Sequence, residues 1–170
     1  DKYKYCVKVM KRINKLGNIY VQKFGEENLT HDGTLYISNH QGRYDGIGIF
    51  TTMEDYPMSL LAIKSRINFP MYREMFAMLN GIVVDPDNMR NQIKLMKEMG
   101  DRLAKGESFL VFIEGKYGDN GNSLQEFKTG VLHPAYQSHC PITPIVLYDS
   151  YKVFSVSSLK KIYPEVHYLK

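Results

Sequence analysis

His40 and Asp45 stand five residues apart in the run Ser38-Asn-His-Gln-Gly-Arg-Tyr-Asp45, a spacing that can assemble acid–base chemistry. If the backbone turns at Gly42 and enters a helix near Asp45, the carboxylate folds back onto the imidazole. An aspartate bonded to one ring nitrogen fixes the tautomer and steadies the imidazolium, leaving the other nitrogen as a base near neutral pH. No serine or cysteine sits at the Gly-x-Ser-x-Gly spacing of a nucleophile elbow. The base therefore suits a substrate hydroxyl, and the expected reaction is direct transfer without a covalent enzyme intermediate. The spacing alone is weak, because a chain with five histidines meets such two-letter pairs by chance. Its bland alternative is an aspartate capping a helix beside a solvent-facing histidine. The second chemically rich run is Phe112-Ile-Glu-Gly-Lys116, where a carboxylate, a glycine and a cation follow an apolar segment.

Both runs leave predicted strands, where ligands gather in α/β proteins. Thr34–Ser38 and Ser108–Ile113 are short β-branched, aromatic and aliphatic runs, and the second is continuous enough to be central. Met58–Ile63, Gly81–Asp85, Ile142–Tyr148 and Glu165–Leu169 read as further strands. Helices are expected over Tyr44–Met53, from Pro70 to Leu79, and from Met89 to Lys105, the last capped by Asn88 and ended by Gly106. Val131–His139 reads as helical, with Pro134 limiting or kinking it. Strands alternating with helices predict an α/β fold: one domain, residues 26–170, with a mostly parallel or mixed central sheet flanked by helices.

Ahead of that domain, residues 2–24 carry Cys6, Met10, Ile13, Gly17, Tyr20, Val21 and Phe24 at helical spacing. An amphipathic N-terminal helix over residues 1–25 is expected. That segment holds seven basic residues and one acid, whereas residues 26–170 hold 15 basic and 17 acidic ones. The overall net charge of +4 is thus a property of the first segment alone. Such asymmetry points to an anionic partner surface, a bilayer in preference to nucleic acid, since no recognition motif accompanies the lysines. The alternative is a surface helix packed on the domain with a solvated basic face. No apolar run approaches the roughly 20 residues of a membrane span, and no apolar core of a signal peptide is present in the first segment. Two cysteines, Cys6 and Cys140, exclude a disulfide framework and fit a reducing compartment. His31, His133, His139 and His167 lie at no recognisable metal-site spacing. Met71, Met75 and Met78 are candidates for lining an apolar groove.

Taken in order, Asn39-His40 with Asp45, then Lys64 and Pro70 ahead of Gly81–Asp85, then Phe112-Ile-Glu-Gly115, Phe127-Lys-Thr-Gly130 and Pro141-Ile-Thr-Pro-Ile-Val146 resemble the 1-acylglycerol-3-phosphate acyltransferase family. The resemblance covers about residues 30–150, and its specific parts are the first block and Phe-x-Glu-Gly. It implies that His40 is the general base and Asp45 its orienting partner. It implies that Glu114 and Gly115 belong to the acceptor site, and that Pro141 and Pro144 shape the acyl or thioester side. It implies acyl transfer from acyl-CoA or acyl-carrier protein, as co-substrate and with no other cofactor or metal, to the free hydroxyl of a lysophospholipid. The expected location is peripheral, on the cytoplasmic face of the membrane. Two departures stand out. Where the family usually has a small residue and then Arg after Glu-Gly, this chain has Lys116 and Tyr117, and where it usually has Arg after the third strand, this chain has Pro86. Arginine binds phosphate bidentately and lysine as a point charge, so Lys116, Arg43, Arg90, Lys64 and Lys128 become the candidates for holding the acceptor. The departures also admit a non-catalytic lipid-binding adaptor, and the same His–Asp pair admits a hydrolase.

Overall fold

In the computed structural model, which describes residues 1–67, 72–154 and 160–170, the chain runs α1 (Lys2–Leu16), β1 (Gln22–Phe24), β2 (Leu35–Ser38), α2 (Asp45–Thr52), β3 (Ser59–Ile63), α3 (Tyr72–Met78), β4 (Ile82–Val84), α4 (Met89–Leu103), β5 (Phe109–Phe112), α5 (His133–Ser138), β6 (Ile142–Tyr148) and β7 (Glu165–Tyr168). The strands form one sheet in the order β1-β7-β6-β2-β5-β3-β4. All neighbours are parallel except β6 and β7, so the sheet is mixed, as the sequence predicts. β2 lies in the middle, with Ser38 in register with Phe112 of β5. The two chemically rich runs therefore emerge side by side at the same sheet edge.

Side-chain alternation sorts the strands between two cores. Tyr36 and Leu110 face a core built with α1, α2 and α3, whereas Leu35, Phe109 and Val111 face Met99, Leu103 and Ala135 of α4 and α5. Gly33 lets the lead-in to β2 pass the α4–β5 connection, since a Cβ there would meet the backbone of Gly106 at 2.7 Å.

The N-terminal helix is shorter than its apolar spacing predicts. It ends at Leu16, where Asn18 turns left-handed (φ 54). Ile19 N–H bonds to the Asn14 carbonyl at 2.9 Å and Asn18 N–H to the Lys15 carbonyl at 3.4 Å, a C-terminal cap that satisfies the last carbonyls. Residues 22–24 then form β1, parallel to β7, so Phe24 belongs to a strand and not to the helical stripe. What remains of the stripe is used for packing: Tyr3, Cys6, Val7 and Met10 are buried in the first core, each large apolar side chain contributing roughly 1.5–3 kcal/mol. The Tyr3 hydroxyl donates to the carbonyls of Met53 and Tyr56 at 2.8 and 3.0 Å, closing the end of α2, and burial pushes its phenol far above the usual range. Residues 2–16 are thus packed on the domain through their apolar side, with Lys8, Arg12 and Lys15 left exposed.

Elsewhere the differences are local. Pro134 starts α5 instead of kinking it, because a missing N–H costs nothing in a first helical turn. The helix expected from Pro70 is seen from Tyr72, and Pro70 and Met71 lie outside the described residues.

Candidate active site

The loop after β2 folds back on itself around one carboxylate. Asp45, the first residue of α2, is fully buried. Its Oδ2 accepts His40 Nδ1 at 2.6 Å and the backbone N–H groups of Gln41 and Gly42 at 2.5 and 2.9 Å. Its Oδ1 accepts the Ser150 hydroxyl at 2.6 Å. Four donors thus hold one carboxylate, and Nε2 is the ring nitrogen of His40 left for a substrate proton. The imidazole stacks on Phe112, centroids 4.1 Å apart and planes 13° apart, and meets the edge of Tyr117 at 4.7 Å. Its side chain is 16 % exposed and lines a cavity.

Neighbouring residues brace this loop. Asn39 uses its carboxamide as a strand would use its backbone: Oδ1 accepts Leu147 N–H at 2.7 Å and Nδ2 donates to the Leu147 carbonyl at 3.1 Å. Gln41 donates to the Leu147 carbonyl and to Asn122 Oδ1, both at 2.9 Å, and accepts Ser150 N–H at 3.0 Å. From the helix side, the Tyr44 hydroxyl donates to Asn14 Oδ1 of α1 at 2.8 Å. Burial drives the Tyr44 phenol well above its usual range, so it stays a protonated donor.

The Phe-Ile-Glu-Gly block forms a tight turn. Gly115 sits at φ +67 and its N–H bonds to the Phe112 carbonyl at 3.0 Å, a left-handed conformation that glycine adopts without strain. This turn delivers Lys116 and Tyr117 to the cavity wall. Glu114 itself is buried and does not line the cavity. Its Oε2 accepts Gln125 Nε2 at 2.6 Å, and the same amide donates to the carbonyls of Lys116 at 3.0 Å and His40 at 3.4 Å. Glu114 Oε1 is buried without a hydrogen-bond partner among the described residues. Glu114 therefore ties loops together through Gln125, a link that no sequence spacing announces.

His40 opens onto a cavity of about 1380 Å³. Among the described residues its wall contains Arg43, Arg66, Lys97, Lys116 and Lys128 and a single acid, Glu126, which pairs with Lys128 at 2.9 Å. A domain whose charge sums to −2 over residues 26–170 so keeps a cationic interior face. Tyr72 also lines it, and burial raises its phenol above the ordinary value. The apolar part is built by Leu60, Leu61 and Ile63 of β3, Val111 of β5, and Met89, Ile93 and Met96 of α4. The α4 stripe thus divides: Met99 and Leu103 pack in the core, while Met89 and Ile93 remain 75 % and 67 % exposed and face the cavity.

Of the residues picked from sequence, His40, Arg43, Gly115, Lys116 and Lys128 line this cavity, with Asp45 directly behind His40. Lys64 does not line it; its ammonium pairs with Asp85 at 3.4 Å, and Arg66 one short turn later takes the place expected of it. Arg90 is exposed outside the cavity. Neither Pro141 nor Pro144 lines this cavity: Pro141 precedes β6 at the end of the sheet away from His40, and Pro144 sits within β6 in register with Ile37 of β2. The Pro141 carbonyl accepts Leu35 N–H where β2 begins, and Pro144 follows in β6 with its carbonyl bonded to Leu169 N–H at 2.8 Å, whereas His40 follows the end of β2. Met75 is buried in the first core and Met78 packs against it, so among the described residues the cavity methionines are Met89 and Met96. Among the described residues, no three His, Cys, Asp or Glu side chains gather as a metal ion would require.

The parallel-centred α/β sheet thus places a histidine, oriented by a buried aspartate with four donors, at the strand ends and at the mouth of a cavity. The sequence profile described as Acyltransferase matches residues 20–148, and the chain belongs to the acyltransferase family. It is 30 % identical over 129 residues to a 1-acyl-sn-glycerol-3-phosphate acyltransferase of Cocos nucifera, a match covering 74 % of this chain and 41 % of that protein. The corresponding protein of Haemophilus influenzae is 30 % identical over 113 residues, covering 66 % and 46 %. The chain matches less than half the length of these curated relatives. The crystal structure of the 1-acyl-sn-glycerophosphate acyltransferase PlsC from Thermotoga maritima superposes with a TM-score of 0.69 at 20 % identity, over all of this chain and 71 % of that one, a likeness of fold.

Proposed function

We propose that this domain transfers a fatty acyl chain from an acyl thioester to the free glycerol hydroxyl of a lysophospholipid, with 1-acyl-sn-glycerol 3-phosphate as acceptor and phosphatidic acid as product. The observation that carries this reading is the His40 ring itself: Nδ1 is held by a buried carboxylate, and the ring faces a cavity that is both cationic and apolar. His40 Nε2 takes the proton of the acceptor hydroxyl as its oxygen attacks the thioester carbonyl, and Asp45 stabilises the imidazolium. The tetrahedral intermediate collapses, the C–S bond breaks, and the imidazolium returns its proton to the departing thiolate. The products are an ester and a free thiol, and His40 ends as it began. The lining cations suit phosphate groups, and the β3 and α4 side chains suit a hydrocarbon chain.

The donor is acyl-CoA or an acyl-carrier protein. The domain works at the cytoplasmic face of the membrane as a peripheral protein, the exposed basic side of α1 resting on anionic lipid. No helix among the described residues is long and apolar enough to cross a bilayer. The test is mass spectrometry of products from mixed lysolipids and acyl donors with wild type and His40→Ala. Diacyl product from wild type, and its loss in a folded His40→Ala protein, is the expected result. Near-normal turnover by His40→Ala, or thiol release indifferent to added acceptor, would overturn it.

A further inference from the structure

Tyr117 occupies the position after Glu-Gly-Lys where an arginine is expected, and it is the point at which two other arginines meet. Arg66 donates from Nη1 to the Tyr117 hydroxyl at 2.9 Å, and Arg43 donates from Nε to the same oxygen at 3.3 Å. The Arg66 guanidinium also lies over the Tyr117 ring, 4.6 Å from its centroid, which restrains its plane. A phenol oxygen offers two lone pairs and one proton. With guanidinium N–H groups on both lone pairs, its own O–H can only be donated outward. All three residues line the cavity, and Tyr117 stands edge-on to His40 at 4.7 Å.

We propose that Arg66, Arg43 and the Tyr117 hydroxyl form a cradle for a phosphate group of a substrate, one aromatic ring away from the catalytic imidazole. This deepens the acyl-transfer reading and rests on it for the site's use. The charge that position 117 lacks is not lost but moved: Arg43 comes from the loop between β2 and α2, and Arg66 from the turn after β3. Arg66 brings a planar fork with donors to spare beyond the one given to Tyr117. Lys64, tied to Asp85, does not compete for the role, and Lys116 adds a point charge on the same wall.

The phosphate can belong to the acceptor or to the CoA of the donor, and crossed substrates separate the two. Wild type, Arg66→Ala and Tyr117→Phe are compared on lysophosphatidate against monoacylglycerol as acceptor. The donors are acyl-CoA against the phosphate-free thioester acyl-N-acetylcysteamine. Arg66→Ala should lower the kcat/KM ratio of the phosphate-bearing over the phosphate-free substrate by about 10- to 100-fold, and Tyr117→Phe by about 5-fold. A fall in the acceptor ratio assigns the cradle to the lipid headgroup, and a fall in the donor ratio assigns it to CoA. Both ratios unchanged would refute the cradle. If wild type transfers no acyl chain at all, the functional reading fails separately. The cradle is then tested by calorimetric titration with sn-glycerol 3-phosphate. Binding that is lost in Arg66→Ala supports it, and absent or unaltered binding refutes it.

Discussion

Ser150 donates its hydroxyl proton to Asp45 Oδ1 at 2.6 Å across 105 residues of sequence, and both side chains are buried. The carboxylate that orients His40 is thus itself oriented from the far end of β6. An ordered second partner lowers the freedom of the aspartate and, through it, of the imidazole. Ser150→Ala is expected to leave KM for both substrates near wild type and to lower kcat about 10-fold, roughly the worth of one charge-assisted hydrogen bond. Steady-state kinetics on the purified variant checks this; an unchanged kcat would remove Ser150 from the site.

Asp45→Asn is the sharper perturbation. The carboxylate accepts from His40, two backbone amides and Ser150, and a carboxamide can keep only part of that set while presenting a donor of its own. By analogy with orienting carboxylates elsewhere, kcat should fall about 10³- to 10⁴-fold. Far-UV circular dichroism establishes that the fold survives, and single-turnover acyl transfer measures the loss.

Gln125 links Glu114 to the carbonyls of Lys116 and His40, so the two residues act as a unit. Glu114→Ala and Gln125→Ala should each lower kcat/KM by about 10-fold, and the double variant should cost little more than either alone. A coupling energy near 1 kcal/mol or above in that cycle is expected of side chains in one network. Full additivity would show that Glu114 acts independently of the loop tie.

The architecture was legible because β2, β5 and α4 obey simple periodicities, and because adjacent parallel strands bring the His40 and Glu114 runs together without further information. Three things were not. Asn18 ends α1 through a left-handed cap, which is a property of backbone closure that the apolar spacing from Gly17 to Phe24 conceals. Ser150 and Gln125 reach the site only through tertiary placement, from positions outside the recognisable blocks, and Arg66, though it lies between Lys64 and Pro70, is set apart from Lys64 only by where the turn after β3 points it. Pro141 and Pro144 sit in a recognisable block, yet strand direction and register put Pro141 at the end of the sheet away from His40 and Pro144 inside β6 beside Ile37, and neither direction nor register is written in the block.

The basic side of α1 divides by what its cations already hold. Lys4 pairs with Asp55 at 3.1 Å and Lys11 with Glu54 at 2.5 Å, whereas Lys8, Arg12 and Lys15 are exposed on the same helix. Reversing those three to Glu should strongly reduce flotation with anionic vesicles, since each basic residue near such a surface contributes about 1 kcal/mol. Neutral vesicles give the reference, and the binding of wild type should weaken as salt rises. Equal binding of wild type to both vesicle types would refute an electrostatic role for this helix.

Acyl-chain length offers the last test, because the apolar part of the cavity is partly made by side chains with little else to do. Ile93 is 67 % exposed and faces the cavity from α4, so Ile93→Trp adds bulk to the wall without removing a core contact. Helix propensity at that position changes little, and stability should hold within about 0.5 kcal/mol, as for surface substitutions in general. Each methylene that no longer finds apolar surface forfeits about 0.8 kcal/mol. The variant should therefore favour shorter acyl thioesters, by about 10-fold or more in kcat/KM between a long and a medium chain. Competition between two chain lengths in one reaction, read by product mass, measures that ratio directly. A preference identical to wild type would place the chain elsewhere than along α4.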